Sequence, residues 1–181
     1  DQAENFIIRA DHGSGIYGLS GIPNLGEFNK IKITRPLLSF KKEELQYFLR
    51  AQDIEWIEDA SNQNEKFTRV KIRNILNQYP EWIDKLATVS ENLSRAKDCI
   101  EYMLNKAIEE FVEFQPEYIS INLEGFNNLP QEIRFRMLMK VLQISGTNLK
   151  PARGERIENL LAKISTGNSF KASTLSGCLI S

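Results

Sequence analysis

The sequence predicts an α/β unit followed by a mostly α-helical domain, with the boundary near residue 80. Three observations carry that expectation. Residues 31–57 read as strand, helix and strand joined by short links, the pattern of an α/β unit. Residues 82–114 hold neither glycine nor proline and repeat apolar residues at spacings of three and four, which predicts one long amphipathic helix. The segments after it read mostly as further helices punctuated by proline and glycine.

In chain order, Ala3, Phe6, Ile7 and Ala10 stand at helical spacing, which predicts a helix over 2–10. The glycine-rich segment 13–26 reads as loop and short turns. Ile31-Lys32-Ile33-Thr34 alternates apolar and polar as a strand does, and Pro36 stops regular pairing. A helix follows from Phe40, with Leu45, Phe48 and Leu49 as its apolar stripe, and Ile54-Glu55-Trp56-Ile57 reads as a second strand. After a polar loop from Asp59 to Lys66, Thr68 is expected to cap a helix over 69–78, with Val70, Ile72, Ile75 and Leu76 apolar and Pro80 ending it. In the long helix the seam is read along Leu86, Val89, Leu93, Ala96, Ile100, Met103 and Ala107. That near-heptad spacing is taken as a helix packed on its own domain rather than an intermolecular coiled coil. Tyr118–Leu123 alternates like a strand, Pro130 to Ile144 and Ala152 to Ile164 read as helices, and Phe170 to Ile180, with a Ser-Gly turn, as a terminal strand or hairpin.

Bulk properties exclude several classes. At 181 residues with a formal net charge of −1, the chain is no bulk polycation, so any nucleic-acid contact must come from local basic patches. No apolar run approaches the roughly 20 residues of a membrane span, and no signal peptide is expected. Cys99 and Cys178 fit no metal spacing, and His12 alone forms no multi-histidine site, so no metal site is expected from these residues. Sparse, unpatterned cysteine fits a reducing compartment, which points to the cytoplasm.

Five features of the sequence bear on chemistry. Asp1 and Glu4, three apart, share one helix face and could hold an ammonium group or help bind magnesium; acidic residues are also simply favoured at a helix start. Gly13, Gly15 and Gly18 satisfy G-x-G-x-x-G, but a helix precedes them where a dinucleotide fingerprint needs a strand, so a Rossmann site is rejected. Arg69 and Arg73, four apart around Lys71, face one way and suit phosphate; the ordinary reading is a solvated face. Arg134, Arg136 and Lys140, and then Lys150, Arg153 and Arg156, make two further basic clusters that together outline an RNA-facing surface. Glu58-Asp59-Ala60-Ser61-Asn62 is a polar corner whose residues also suit turn and cap chemistry.

Taken in order, Asp1-Gln2-Ala3-Glu4, Gly13-Ser14-Gly15-Ile16-Tyr17-Gly18-Leu19, Arg35-Pro36-Leu37-Leu38, Glu58-Asp59-Ala60-Ser61-Asn62 and the Arg69 helix resemble the tRNA(Ile)-lysidine synthetase family. Asn5 stands where that family usually has threonine, and His12 where it has arginine. The resemblance is strong over 1–75 and looser beyond. It implies that residues 1–80 are an α/β remnant of a PP-loop (adenine nucleotide alpha hydrolase-like) domain and that 81–181 form a helical tRNA-binding domain. It implies a ligase: ATP, with Mg2+, adenylates the carbonyl oxygen at carbon 2 of the wobble cytidine of isoleucine tRNA with a CAU anticodon, and the side-chain amine of L-lysine displaces AMP. Asp1, Glu4 and Arg69 are the expected catalytic residues, and the same three with Arg73 are expected to bind substrate. The family's Ser-Gly-Gly-x-Asp-Ser pyrophosphate loop occurs nowhere in these residues; the resemblance puts it upstream, so the chain alone is expected to be inactive. Self-association into a homodimer is left open. Two alternatives stand beside this reading: a non-catalytic tRNA-binding module, and another PP-loop tRNA-modifying enzyme such as a cytidine thiolase, which the spacing of Cys99 and Cys178 does not support.

Overall fold

A computed structural model describes residues 2–28, 31–57, 67–146, 153–165 and 172–181. The chain falls into two compact units, Asp1–Lys97 and Asp98–Ser181.

In the first unit, α1 (Gln2–Asp11) is followed by the short α2 (Ile16–Leu19), the strands β1 (Leu25–Phe28) and β2 (Ile31–Thr34), and the helices α3 (Lys42–Ala51) and α4 (Thr68–Gln78). The first turns of α5 (Glu81–Phe111) complete it. Its core is small: Ala3 of α1 is buried against Ile72 and Leu76 of α4, with Ile7, Ile8 and Leu86 packed around them. On α4 the pair Ile72/Leu76 is spaced by four, so both lie on one face, as do Ala3 and Ile7 on α1. β1 and β2 pair antiparallel, Leu25 opposite Thr34 and Phe28 opposite Ile31.

The second unit holds the rest of α5, the strands β3 (Val112–Phe114) and β4 (Ile119–Ile121), the helices α6 (Leu123–Asn128), α7 (Gln131–Ser145) and α8 (Gly154–Ser165), and the hairpin β5 (Ser173–Leu175) with β6 (Cys178–Ile180). Leu104 and Ala107 of α5, Phe126 of α6, Ile133, Met137, Leu138, Val141 and Leu142 of α7, and Ile157, Leu160 and Leu161 of α8 form one buried cluster. The Asn122 side chain accepts from the Gly125 amide at 3.0 Å, starting α6 in the ordinary N-cap manner. The hairpin turns through Ser176 (φ 54°) and Gly177 (φ 83°), the left-handed pair that a two-residue turn with right-handed strand twist requires.

Several expectations need correction. Ile54–Ile57 is not a strand, and the sheets among the described residues are three antiparallel pairs; alternation alone makes no strand without a partner to bond. The glycine-rich segment contains α2 and leads into β1, so the loop is shorter than read. Thr68 is the first helical residue of α4; Phe67 precedes it with no side-chain cap. The long helix stops at Phe111, where Val112–Phe114 turns into a strand to pair with β4, and α6 was not foreseen. The change of composition at residue 80 coincides with the Pro80 break between α4 and α5. The two compact units meet inside α5, where Leu86 packs with α1 and α4 and the Ser90 hydroxyl donates to Leu19 O at 2.9 Å.

Met137 and Ile157 are fully buried in the second unit's core. Met137→Ala or Ile157→Ala is expected to cost about 2–5 kcal/mol in chemical denaturation. Leu179→Ala, at a side chain 75% exposed, is expected to stay within about 0.5 kcal/mol.

Candidate lysine and phosphate site

Three of the site residues that the sequence singled out, Glu4, Arg69 and Arg73, meet at the α1–α4 contact. When Ile72 and Leu76 face α1, the residues one row round the helix, Arg69 and Arg73, project along its edge. Glu4, one position after Ala3, meets them. Arg73 Nε donates to Glu4 Oε1 at 2.8 Å and its Nη2 to Oε2 at 3.3 Å, a two-pronged pair that fits the guanidinium fork to the carboxylate. Arg69 Nε lies 3.5 Å from Glu4 Oε2. The Glu4 side chain is only 9% exposed, against 33% for Arg73 and 50% for Arg69. The hydrogen bond to Glu4 pushes the Arg73 guanidinium above its ordinary value, while partial burial pulls the other way.

Two positive charges therefore meet one negative charge. Of the carboxylate's acceptor positions, two carry Arg73 donors, and Arg69 stands beside the second oxygen. Arg69 is the half of the pair open to an anionic group, and Arg73 is the half that holds Glu4. Asp1 lies outside the described residues.

The opposite side of the first turn of α1 is held as firmly. Gln2 Nε2 donates to Ile22 O at 2.9 Å and its Oε1 accepts from the Ile22 amide at 2.8 Å. Between them Gly21 takes φ +78°, and a Cβ there would fall 2.5 Å from Ser90 Oγ and 2.9 Å from Gln2 Oε1. Only glycine meets both the conformation and the close approach. Ser90 is buried, 4% exposed. The glycine segment is thus tied down at Leu19 and Ile22. A helix, α1, precedes it, where a dinucleotide fingerprint needs a strand, and α2 is one turn long.

Residues 1–79 match the model of the PP-loop domain family. A tRNA(Ile)-lysidine synthase of Anaplasma marginale is 32% identical over 184 residues, which cover 99% of this chain and 40% of the relative. One from Wolbachia pipientis wMel is 32% identical over 188 residues, 99% of this chain and 43% of the relative. One from Hyphomonas neptunium is 34% identical over 188 residues, 99% of this chain and 50% of the relative. Over nearly its whole length the chain is similar to tRNA(Ile)-lysidine synthases. It spans about 40–50% of the length of these relatives. The family match accords with the α/β remnant and helical region read from the sequence, although the described strands do not form a parallel sheet.

The remaining predicted basic residues that the structure describes lie on α7 and at the start of α8. In α7, Arg136 Nε donates to Glu132 Oε1 at 2.8 Å, Lys140 Nζ donates to Asn105 Oδ1 at 2.8 Å, and Arg134 is half-buried. Arg153 and Arg156 are exposed at the start of α8, and Lys150 lies outside the described residues, as do Glu58-Asp59-Ala60-Ser61-Asn62. Among the described residues no three histidine, cysteine, aspartate or glutamate side chains converge to hold a metal. No described helix is long and apolar enough to cross a membrane.

Sequence reasoning missed Gln2, Gly21 and Ser90 as structural partners. The signal for Ser90 was present: a small polar residue interrupting the apolar side of a long helix.

Because Arg73 makes the two short contacts and Arg69 the longer one, the two are separable. Arg73→Ala is expected to destabilise the fold by about 1–3 kcal/mol, by leaving a mostly buried carboxylate short of donors. Arg69→Ala, at a half-exposed pair, is expected to cost under about 1 kcal/mol. Urea unfolding of the two variants measures the difference.

Proposed function

We propose that this chain carries the lysine-binding portion of an ATP-dependent ligase that joins L-lysine to the wobble cytidine of isoleucine tRNA with a CAU anticodon, in the cytoplasm. The observation that supports it most is the Glu4–Arg69–Arg73 cluster on the PP-loop portion of a chain similar, over 99% of its length, to tRNA(Ile)-lysidine synthases. In this reading residues 1–80 belong to the ligase domain and 81–181 form the tRNA-binding domain. Its basic residues Arg134, Arg136, Lys140, Lys150, Arg153 and Arg156 then contribute the RNA-facing charge, with the exposed Arg153 and Arg156 the best placed to meet phosphate.

The roles divide by charge. Glu4, with Asp1, receives the side-chain nitrogen of lysine. Arg69 faces the anionic phosphates of ATP or of the adenylate. Lysine must lose a proton before it attacks. Arg69 and Arg73 each favour the neutral amine, because a nearby like charge disfavours the ammonium form. ATP supplies the adenylate leaving group, and Mg2+ would accompany it.

Mass spectrometry of anticodon nucleosides, after reaction of the complete open-reading-frame product with tRNA, ATP and lysine, is expected to show lysidine; an unmodified wobble cytidine would sink the proposal. The 181 residues alone are expected to catalyse no ATP–pyrophosphate exchange. A pH profile tests the charge argument. Arg69→Gln removes a positive neighbour, so the amine's pKa rises and the alkaline rise in rate moves to higher pH, by about one unit. A profile unmoved on the pH axis would leave Arg69 without influence on the amine.

A further inference from the structure

We infer that Gln2, Gly21 and Ser90 form a junction that positions the first turn of α1, and with it the carboxylate that receives lysine; the inference rests on the reading under Proposed function. None of the three is a catalytic residue. Each acts through the backbone it holds.

The chain comes together here from three separated places. Gln2 sits in the first turn of α1, two residues from Glu4. Two residues along a helix lie on nearly opposite sides, so the same turn is gripped from both flanks: by Arg73 and Arg69 at Glu4, and by Ile22 at Gln2. The Gln2 amide spends a donor and an acceptor on one residue's backbone, which fixes the side chain's orientation as well as its distance. Ser90 closes the arrangement from α5. Its hydroxyl donates to Leu19 O at 2.9 Å and packs against Gly21 so closely that no side chain fits between.

Ser90 lies beyond residues 1–79, the part that matches the PP-loop family model. The long helix therefore contributes a contact to the ligase portion itself. The position of Ser90 on the buried side of α5 is otherwise unfavourable: an apolar residue would bury more surface there, but it would leave the Leu19 carbonyl without its donor.

A rotation of the α1 turn of a few tenths of an ångström at Glu4 would move the carboxylate relative to the incoming amine, and reacting groups tolerate little misplacement. Loss of the junction should therefore appear in lysine recognition and not in the use of ATP or tRNA. The complete open-reading-frame product is compared with Ser90→Ala and Gln2→Glu. Gln2→Glu keeps the shape and removes the donor to Ile22 O. Lysine KM is expected to rise about tenfold, with the KM values for ATP and tRNA within about twofold of the unaltered protein. Hydrogen exchange at residues 13–22 and in the first turn of α1 is expected to quicken about tenfold in both variants, with the 98–181 unit unchanged. Unchanged exchange overturns the junction. Quickened exchange with an unchanged lysine KM, or with all three KM values raised together, overturns its positioning role. Absence of lysidine from the unaltered protein overturns the parent reading and the lysine role with it, while the exchange measurement still decides the junction.

Discussion

The pairing of Glu4 with Arg73 is the constraint on which the first unit depends. It links residues 69 apart in sequence, through a carboxylate that is almost fully removed from water. Among the described residues the apolar core beneath it is Ala3, Ile72 and Leu76, with Ile7, Ile8 and Leu86 packed against them. The two Arg73 contacts of the planar fork are satisfied together in one relative placement of the helices. Desolvating Glu4 opposes folding, and the second guanidinium at 3.5 Å offsets part of that cost. The same interaction that sets the helix pair thereby sets the charge of the site.

What was legible in the sequence follows the range of the forces involved. Helices α1, α4, α7 and α8 were readable because their apolar faces, and the prolines that bound α4 and α7, are local. In α5 the reading was half right. Leu86, Leu93, Ile100 and Ala107 do lie on the protected side, but the second row runs through Ser90, Lys97, Leu104 and Phe111, while Val89 and Met103 are exposed. Apolarity chose the wrong row because two positions of the true one are polar. Ser90 is buried for its hydrogen bond to Leu19, and Lys97 places its ammonium 5.5 Å from the centre of the Tyr17 ring. Both reasons are tertiary, and no window along the helix contains Leu19 or Tyr17.

Strands were less legible than helices for the same reason. Ile31–Thr34 and Ile119–Ile121 alternate and are strands; Ile54–Ile57 alternates and is not. The difference lies in the partner. Leu25–Phe28 and Val112–Phe114 supply backbone donors and acceptors to the first two, and neither partner announces itself, since one contains a glycine and the other continues a helical run. The candidate site was legible in its residue types but not in their mutual engagement. Glu4, Arg69 and Arg73 were read as two independent binding groups, one for an ammonium and one for phosphate. They are one cluster, because the carboxylate and the guanidiniums satisfy each other before any substrate arrives.

That engagement shapes the chemistry that a lysine ligase could draw from it. At about 4 Å and an effective dielectric of about 20, a single unit charge exerts roughly 4 kcal/mol on another. A protonated lysine approaching Glu4 meets the attraction of one carboxylate and the repulsion of two guanidiniums, so Glu4 alone is a poor trap for an ammonium. A neutral amine meets no such repulsion, and it can still donate a hydrogen bond to the carboxylate. In the proposed reading the two guanidiniums would favour the reactive, neutral form of the nucleophile. An anion at Arg69 would offset one of those charges and relax that preference. Binding of a phosphate group and retention of the amine would then be coupled through Glu4, with the rigidity of the α1 turn setting how much of the coupling reaches the reacting nitrogen.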